Sequence, residues 1–521
     1  MILKNGKIFT CNPVQPFAEA IGIRGNKIIS VGSEEEVRSA FSSKVQEIDL
    51  EGKTVLPGLI DSHTHFTEFC LSAERVKLKN VRSVEEALEK VKAKLKNHSE
   101  NSWLTGGGWN PNFIGLPTKE MLDSVSTEIP IALEANDYHT LWCNSKALEL
   151  GGITKEKALE NPKEIPLNEN GEILGILYEK SRQPLIEKFY QPKLSNYRKA
   201  LKNGFQKYHK FGVTSVHACE GQDELDIYNE MKLSGELGIR IFKLIQFSEL
   251  EQIQEQGISF LDGDEFLKIG HAKFFLDGAL SSQTAEMLEP YENSENRGLS
   301  HFSEDEIEKM VKKILDFGFE PAVHAIGDAA ITKIVEAFKN EIQTRGLIFQ
   351  RFRIEHAQHL GHELIQDILE DGTILAMQPI HIREDAQTCE KLLGKRSKWA
   401  FPFATLLRHS ARVCFGSDTP VETINPFEGI FTAVTRKAKG FESNSWFFEE
   451  KITVEEAIKA YTIGGAFASF EEDIKGSLEV GKLADLAVLS EDIFAVEKER
   501  IPKIFSCLTL LDGKVVHNEL F

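Results

Sequence analysis

At 521 residues the chain exceeds what one small core needs, and it suits a large barrel joined to a smaller domain. Its 41% hydrophobic and 27% charged content is ordinary for a globular protein, and a net charge of −19 argues against nucleic acid or an anionic membrane as partner. The start Met1-Ile2-Leu3-Lys4-Asn5-Gly6 lacks the pattern of a signal peptide, and no apolar run is long enough to span a bilayer. The seven cysteines are scattered without a CxxC pair, which reads as reduced, mostly buried thiols in a cytoplasmic protein.

Residues 1–56 read as short strands and turns, with Ile8–Thr10, Ala20–Ile23 and Lys27–Val31 set among the turn pairs Asn5-Gly6 and Gly25-Asn26. An apolar strand then runs from Val55 to His65, entered through Pro57-Gly58. The next strand begins only near Val213, so residues 66–208 form an insertion far longer than a βα loop, expected as a lid or substrate wall. Within it, Ser83-Val84-Glu85-Glu86 opens an amphipathic helix and Ile129–Glu134 reads as a strand. Strands follow at Val213–Ala218, Ile239–Gln246, His271–Leu276, Phe319–Ala325, Phe352–Ala357, Thr373–Gln378 and Arg412–Ser417. Capping boxes at Ser303…Glu306 and Thr453…Glu456 open helices in the same half of the chain. Eight strands alternating with helices predict an α/β fold, a TIM (β/α)8 barrel over residues 57–470. Turn-then-strand at Gly481–Leu489 and a hairpin around Asp512-Gly513 return the β pattern. Residues 1–56 plus 471–521 are therefore expected to form one composite β-sandwich domain.

Chemistry concentrates at the predicted strand ends. Residues i and i+2 of a strand project to the same side, so His63 and His65 can converge on one point. Imidazole is a common metal ligand, and two on one strand are half of a metal site. The fourth strand carries Lys273 in an apolar run, the fifth ends in His324, the sixth in His356, and the eighth runs into Asp418. Singly, each reads as a structural histidine, a snorkelling lysine or a turn aspartate. Jointly they fall where a barrel aims its residues into one mouth, and the joint reading is a metal site.

The HxH on the first strand, with Lys on the fourth, His on the fifth and sixth and Asp on the eighth, resembles the metal-dependent amidohydrolase superfamily. The stretches Leu56–His65, Lys273–Leu280, Val323–Asp328, Arg353–Gln358, Gln378-Pro379, Gly416–Pro420 and Gly476–Leu486 are similar to its YtcJ-like branch, amidohydrolase family 3, which includes N-substituted formamide deformylase.

That resemblance implies one divalent ion, zinc by expectation, on His63 and His65 and a second on His324 and His356. Lys273, carboxylated by CO2, would bridge them, because a free ammonium has only donors. With Lys273 unmodified, a single-ion site on His63, His65, His324 and Asp418 is the alternative, and Glu179 is a further candidate carboxylate. It also implies hydrolysis of a non-peptide C–N bond of a small, apolar substrate, with Asp418 as general base and acid. An ester, a lactam, a non-hydrolytic reaction, or metal-dependent binding without catalysis are the competing readings. In the insertion, Gly106-Gly107-Gly108-Trp109-Asn110 and Asp137-Tyr138-His139-Thr140 resemble family stretches. They make Trp109 and His139 candidates for substrate contact, and His139 also for an oxyanion contact. Arg297 and Arg383 are candidates to bind a substrate carboxylate, against the plainer reading of exposed ion pairs. The expected partner is a small molecule, with a homodimer as the commonest assembly.

Overall fold

Eight parallel strands lie in sequence order in one sheet: β1 (Leu59–Thr64), β2 (Val213–Ala218), β3 (Arg240–Gln246), β4 (Leu267–Phe275), β5 (Pro321–Ala325), β6 (Arg353–His356), β7 (Ile374–Met377) and β8 (Arg412–Phe415). This is the barrel expected from the alternation of strands and helices. The computed structural model describes residues 1–79, 81–96, 98, 102–110, 114–135, 140–189, 194–441 and 444–520. Strands covered on both faces must be apolar almost throughout, and β7, Ile374-Leu375-Ala376-Met377, is buried at every position.

The last strand meets the first just beyond β8. The backbone N–H of Asp418 donates to the His63 carbonyl at 2.8 Å, and that of His65 donates to the Thr419 carbonyl at 2.9 Å. Gly416 permits the approach, because a Cβ there would stand 2.4 Å from the His63 nitrogen. Asp61 ties the same seam: its carboxylate accepts from the Ser417 N–H at 2.8 Å and the Ser417 hydroxyl at 2.6 Å.

The outer helices start where their caps dictate. Helix Glu304–Asp316 begins at Ser303, whose N–H donates to Glu306 Oε2 at 2.8 Å, and it turns Ile307, Val311 and Ile314 inward. Helix Val454–Ala460 has the reciprocal pair, with Thr453 N–H on Glu456 Oε2 at 2.7 Å and Glu456 N–H on Thr453 Oγ1 at 3.2 Å.

Both ends of the chain build the sandwich. One sheet has four strands, from Lys27–Gly32, Ala20–Arg24, Ile2–Lys4 and Glu47–Asp49. The other has six and mixes the termini, joining Lys514–Asn518, Ser506–Leu511 and Leu486–Leu489 to Thr54–Pro57, Lys7–Phe9 and Phe17–Ala18. Leu3, Ile21, Ile48, Val55, Val488 and Leu508 form their shared core. A buried ion pair links sandwich and barrel, with Arg240 of β3 donating to Asp485 through Nε at 2.6 Å and Nη2 at 3.0 Å. Asp485→Asn keeps the shape and removes the charge, so it is expected to cost about 1.5–3 kcal/mol, read by denaturant unfolding. A midpoint equal to that of the parent would contradict this.

Two compact units make up the chain, residues 1–66 with 202–521, and residues 67–201. The second is an insertion after β1 with its own sheet of five strands, Ile176–Tyr178, Thr140–Cys143, Ile131–Ala135, Leu104–Trp109 and Val76–Lys77. Its helix Val84–Leu95 starts at Ser83, whose hydroxyl accepts from the Glu86 N–H at 3.2 Å. All seven cysteines are free and buried. Among the described residues no helix is long and apolar enough to cross a membrane.

Candidate metal centre

β1, β4, β5 and β6, and the turns after β7 and β8, bring polar side chains to one end of the barrel. His63 is fully buried and its ring centroid lies 4.7 Å from that of His356, which lies 4.5 Å from that of His324. His65, with 27% of its side chain exposed, places Nε2 3.6 Å from Asp418 Oδ1, and His63 Nε2 is 3.5 Å from the same oxygen. Lys273 is buried, with Nζ 3.4 Å from His63 Nε2 and 5.0 Å from the Phe275 ring centroid. A cavity of about 270 Å³ opens over these groups, lined also by Phe275, Leu280, Ile326 and Val421.

Neighbours that can only accept a proton set the histidine tautomers. Nδ1–H of His63 donates to Glu355 Oε2 at 2.5 Å, so Nε2 faces Asp418. Against burial, the neighbouring Cys219, Glu355 and Asp418 hold this ring well above its ordinary pKa, and a cation bound there would take the place of the Nε2 proton. Nδ1–H of His356 donates to Gln378 Oε1 at 2.9 Å, which leaves its Nε2 with the lone pair. Gln378 cannot reverse its amide freely, because its Nε2 donates to the Ala376 carbonyl at 3.0 Å. Nε2–H of His324 donates to the Gly278 carbonyl at 3.2 Å, and its Nδ1 is buried without a partner. Burial, with the Lys273 charge next in effect, pushes His65 down to about 3 and His324 down to about 4. Burial, then His324, drives His356 well below its ordinary value. Neutral imidazoles with free lone pairs are what a cation needs.

Two triads bring their ligand atoms within 4.8 Å of one another, His63–His65–Asp418 and His356–His381–Asp418. Nitrogen and carboxylate donors of this kind, with the orphaned His324 Nδ1 beside them, fit a divalent ion of the zinc type. Asp418 is shared, and Nε2–H of His381 donates to its Oδ2 at 3.2 Å.

Backbone strain gathers here. His356, Ala357 and Asp418 have φ of 71°, 45° and 56°, in the left-handed region that ordinary residues avoid. Each costs about 1–3 kcal/mol, a cost that persists only where surrounding structure holds it. The turn at His356 lets Glu355 and His356, adjacent in sequence, both address His63.

Three groups escape the strand-end reading. His381 sits on a short 3-10 turn, Pro379–His381, just past β7, so a search running one turn beyond each strand would meet it. Glu355 is a fully buried carboxylate inside β6, paired with Arg353 Nε at 2.9 Å. Asp277 is buried and accepts the N–H groups of Ile326, Gly327 and Glu286, and burial lifts it to about 7.

Among the described residues, the cavity lining includes neither Arg297 nor Arg383. Arg383 is engaged by Glu428 at 2.5 Å and Glu422 at 2.9 Å, and Arg297 is half exposed, 3.8 Å from Glu289. Trp109 is fully buried in the insertion's core, its indole N–H donating to the Leu133 carbonyl at 2.9 Å, so packing accounts for it. Glu179 is exposed on the insertion. His139 lies outside the described residues.

A closed parallel barrel with histidines, a lysine and an aspartate converging at its strand ends defines the class of metal-dependent TIM-barrel hydrolases. The amidohydrolase family matches residues 46–517, and the chain belongs to it. YtcJ of Bacillus subtilis is 30% identical over 99% of both chains. N-substituted formamide deformylase of Arthrobacter pascens is 25% identical over 98% of this chain and 97% of its own. The solved structure of a metal-dependent hydrolase from Pyrococcus furiosus superposes with a TM-score of 0.78 at 28% identity, covering 95% of this chain and 99% of that one.

Proposed function

We propose that the protein hydrolyses a non-peptide C–N bond, in an amide, formamide or other N-acyl compound of small size. The observation that carries this is Asp418, a buried carboxylate within 3.6 Å of imidazole nitrogens of His63, His65 and His381 at the cavity. Likeness to an enzyme named for deformylating N-substituted formamides supports the bond type.

His63, His65 and Asp418 would hold one divalent ion, zinc in this reading, and His324 and His356 a second. Lys273, carboxylated on Nζ, would supply an anionic oxygen ligand. When bound, such an ion brings the pKa of water from about 15.7 to about 7 and polarises the substrate carbonyl. Asp418 takes the water proton as the new O–C bond forms, then passes it to the leaving nitrogen as the C–N bond breaks. His381 orients Asp418 through its hydrogen bond at 3.2 Å. Phe275, Leu280, Ile326 and Val421 give the substrate an apolar wall and exclude water. Seven buried free thiols suit a reducing compartment, which supports the cytoplasm.

Chelation is expected to abolish turnover of the best substrate in a panel of amides, formamides, lactams and esters, and zinc to restore it. Metal counting and intact mass of Lys273 peptides test the stoichiometry. A single ion with an unmodified lysine would overturn the two-ion arrangement, and hydrolysis of esters alone would overturn the bond assignment.

A further inference from the structure

Most polar groups lining the cavity are already engaged. Asp418 accepts from His381, His356 donates to Gln378, and His324 donates to the Gly278 carbonyl. Two are not. Gln358 lines the cavity with only 3% of its surface exposed, and no described group donates to its Oε1. Asp385 also lines it, from the first turn of helix Ile382–Leu393. Its carboxylate makes no hydrogen bond or ion pair among the described residues, and burial raises its pKa despite the nearby His381.

The buried Gln358 Oε1 without a donor costs about 1–3 kcal/mol, and the half-buried Asp385 adds an unpaired carboxylate beside the cavity, so this wall is prepared for something that donates. The remaining lining narrows the choice. Phe275, Ala279, Leu280, Ile326 and Val421 are apolar or aliphatic, and among the described residues Lys273 is the only lysine or arginine in the lining. Beyond the ions of the proposed centre, a substrate carboxylate would meet Asp385 with no arginine and no second lysine in the lining to offset it. An ammonium would meet a carboxylate and a carboxamide oxygen.

We infer that Asp385 and Gln358 bind a cationic end of the substrate, making its class N-acyl amines that carry a second, protonated amine. This deepens the C–N hydrolase reading and rests on it. The acyl group undergoes attack beside Asp418, the aliphatic linker lies along Leu280, Ile326 and Val421, and the ammonium donates to Asp385. The product released would be a diamine.

The test uses metal-loaded enzyme and formamides of matched length ending in ammonium, methyl or carboxylate, with linkers of several lengths. The ammonium series is expected to have the highest kcat/KM. Asp385→Asn should lower the ammonium-to-methyl selectivity by about 10–100-fold, the range of a charged hydrogen bond. Gln358→Leu, a change of similar volume, should lower it by a smaller factor. Equal rates across the three ends, or a selectivity untouched by Asp385→Asn, would overturn the inference while leaving C–N hydrolysis standing. If the wild type hydrolyses none of them, calorimetric titration of butylammonium against butanol decides separately. Tighter butylammonium binding that weakens in Asp385→Asn supports the cation site, and equal binding of the two overturns it.

Discussion

Asp418→Asn is expected to leave the metal in place and to lower kcat by about 10²–10⁴, the range general acid–base catalysis supplies. The amide keeps an oxygen where Asp418 Oδ1 faces His63 and His65 at 3.5 and 3.6 Å, so one coordinating atom survives. What it loses is the capacity to hold a proton between attack and departure of the nitrogen. The loss should therefore fall on kcat rather than on KM, because the proton moves only during reaction. Metal content is measured on the same preparation, since a variant that lost its ions would be inactive for another reason. An Asn variant with full metal and near-parental kcat would remove Asp418 from the proton path.

The second large effect is expected from Glu355→Ala. Glu355 stands between the Arg353 guanidinium, whose Nε is 2.9 Å from Oε1, and the Nδ1–H of His63, 2.5 Å from Oε2. All three side chains are fully buried. Burial opposes the ionised Glu355, yet Arg353 and His63 hold its pKa well below the usual carboxylate range. Truncation leaves Arg353 as an uncompensated buried charge, at a cost of about 3–5 kcal/mol. It also frees His63 to place its proton on either ring nitrogen, and losing such an outer partner lowers metal affinity by about 10–100-fold. Unfolding measurements and metal titration read these separately. Glu355→Gln retains an acceptor for His63, so its affinity should fall less. Parental stability and affinity in the Ala variant would show that the buried chain of charges does nothing for the metal ligands.

Much of the barrel was legible because a strand buried on both faces is apolar almost without interruption. Val213–Ala218 matches β2 residue for residue. Two strands differ more: the expected Val55–His65 divides, with Thr54–Pro57 joining the sandwich and β1 starting at Leu59, and β4 starts at Leu267 rather than His271. Lys268 and Gly270 break its apolar run, yet it pairs with β3 from Ile241, and Gly270 gives the Phe242 ring room where a Cβ would stand 2.5 Å away. Five of the converging groups were visible as strand-end residues. His381 was not, since it lies past Pro379, where strand periodicity has ended. Glu355 was hidden by its neighbour, because alternation sends adjacent residues to opposite faces and only the positive φ of His356 brings both to His63. Arg383 looked available because Glu422 and Glu428, which occupy it, lie far along the chain.

The seam between the first and last barrel strands also governs timing. Asp61 and Ser417, which fasten it, are 356 residues apart. At ribosomal rates of about 5–20 residues per second, roughly 20–70 s separate their emergence. For most of that interval a nascent chain displays His63 and His65 before His324 and His356 have been made, and for all of it without Asp418, an incomplete ligand set with little hold on a metal. Loading of the complete set must therefore follow translation of nearly the whole polypeptide, and a ribosome stalled before Asp418 would carry a metal-poor, inactive product.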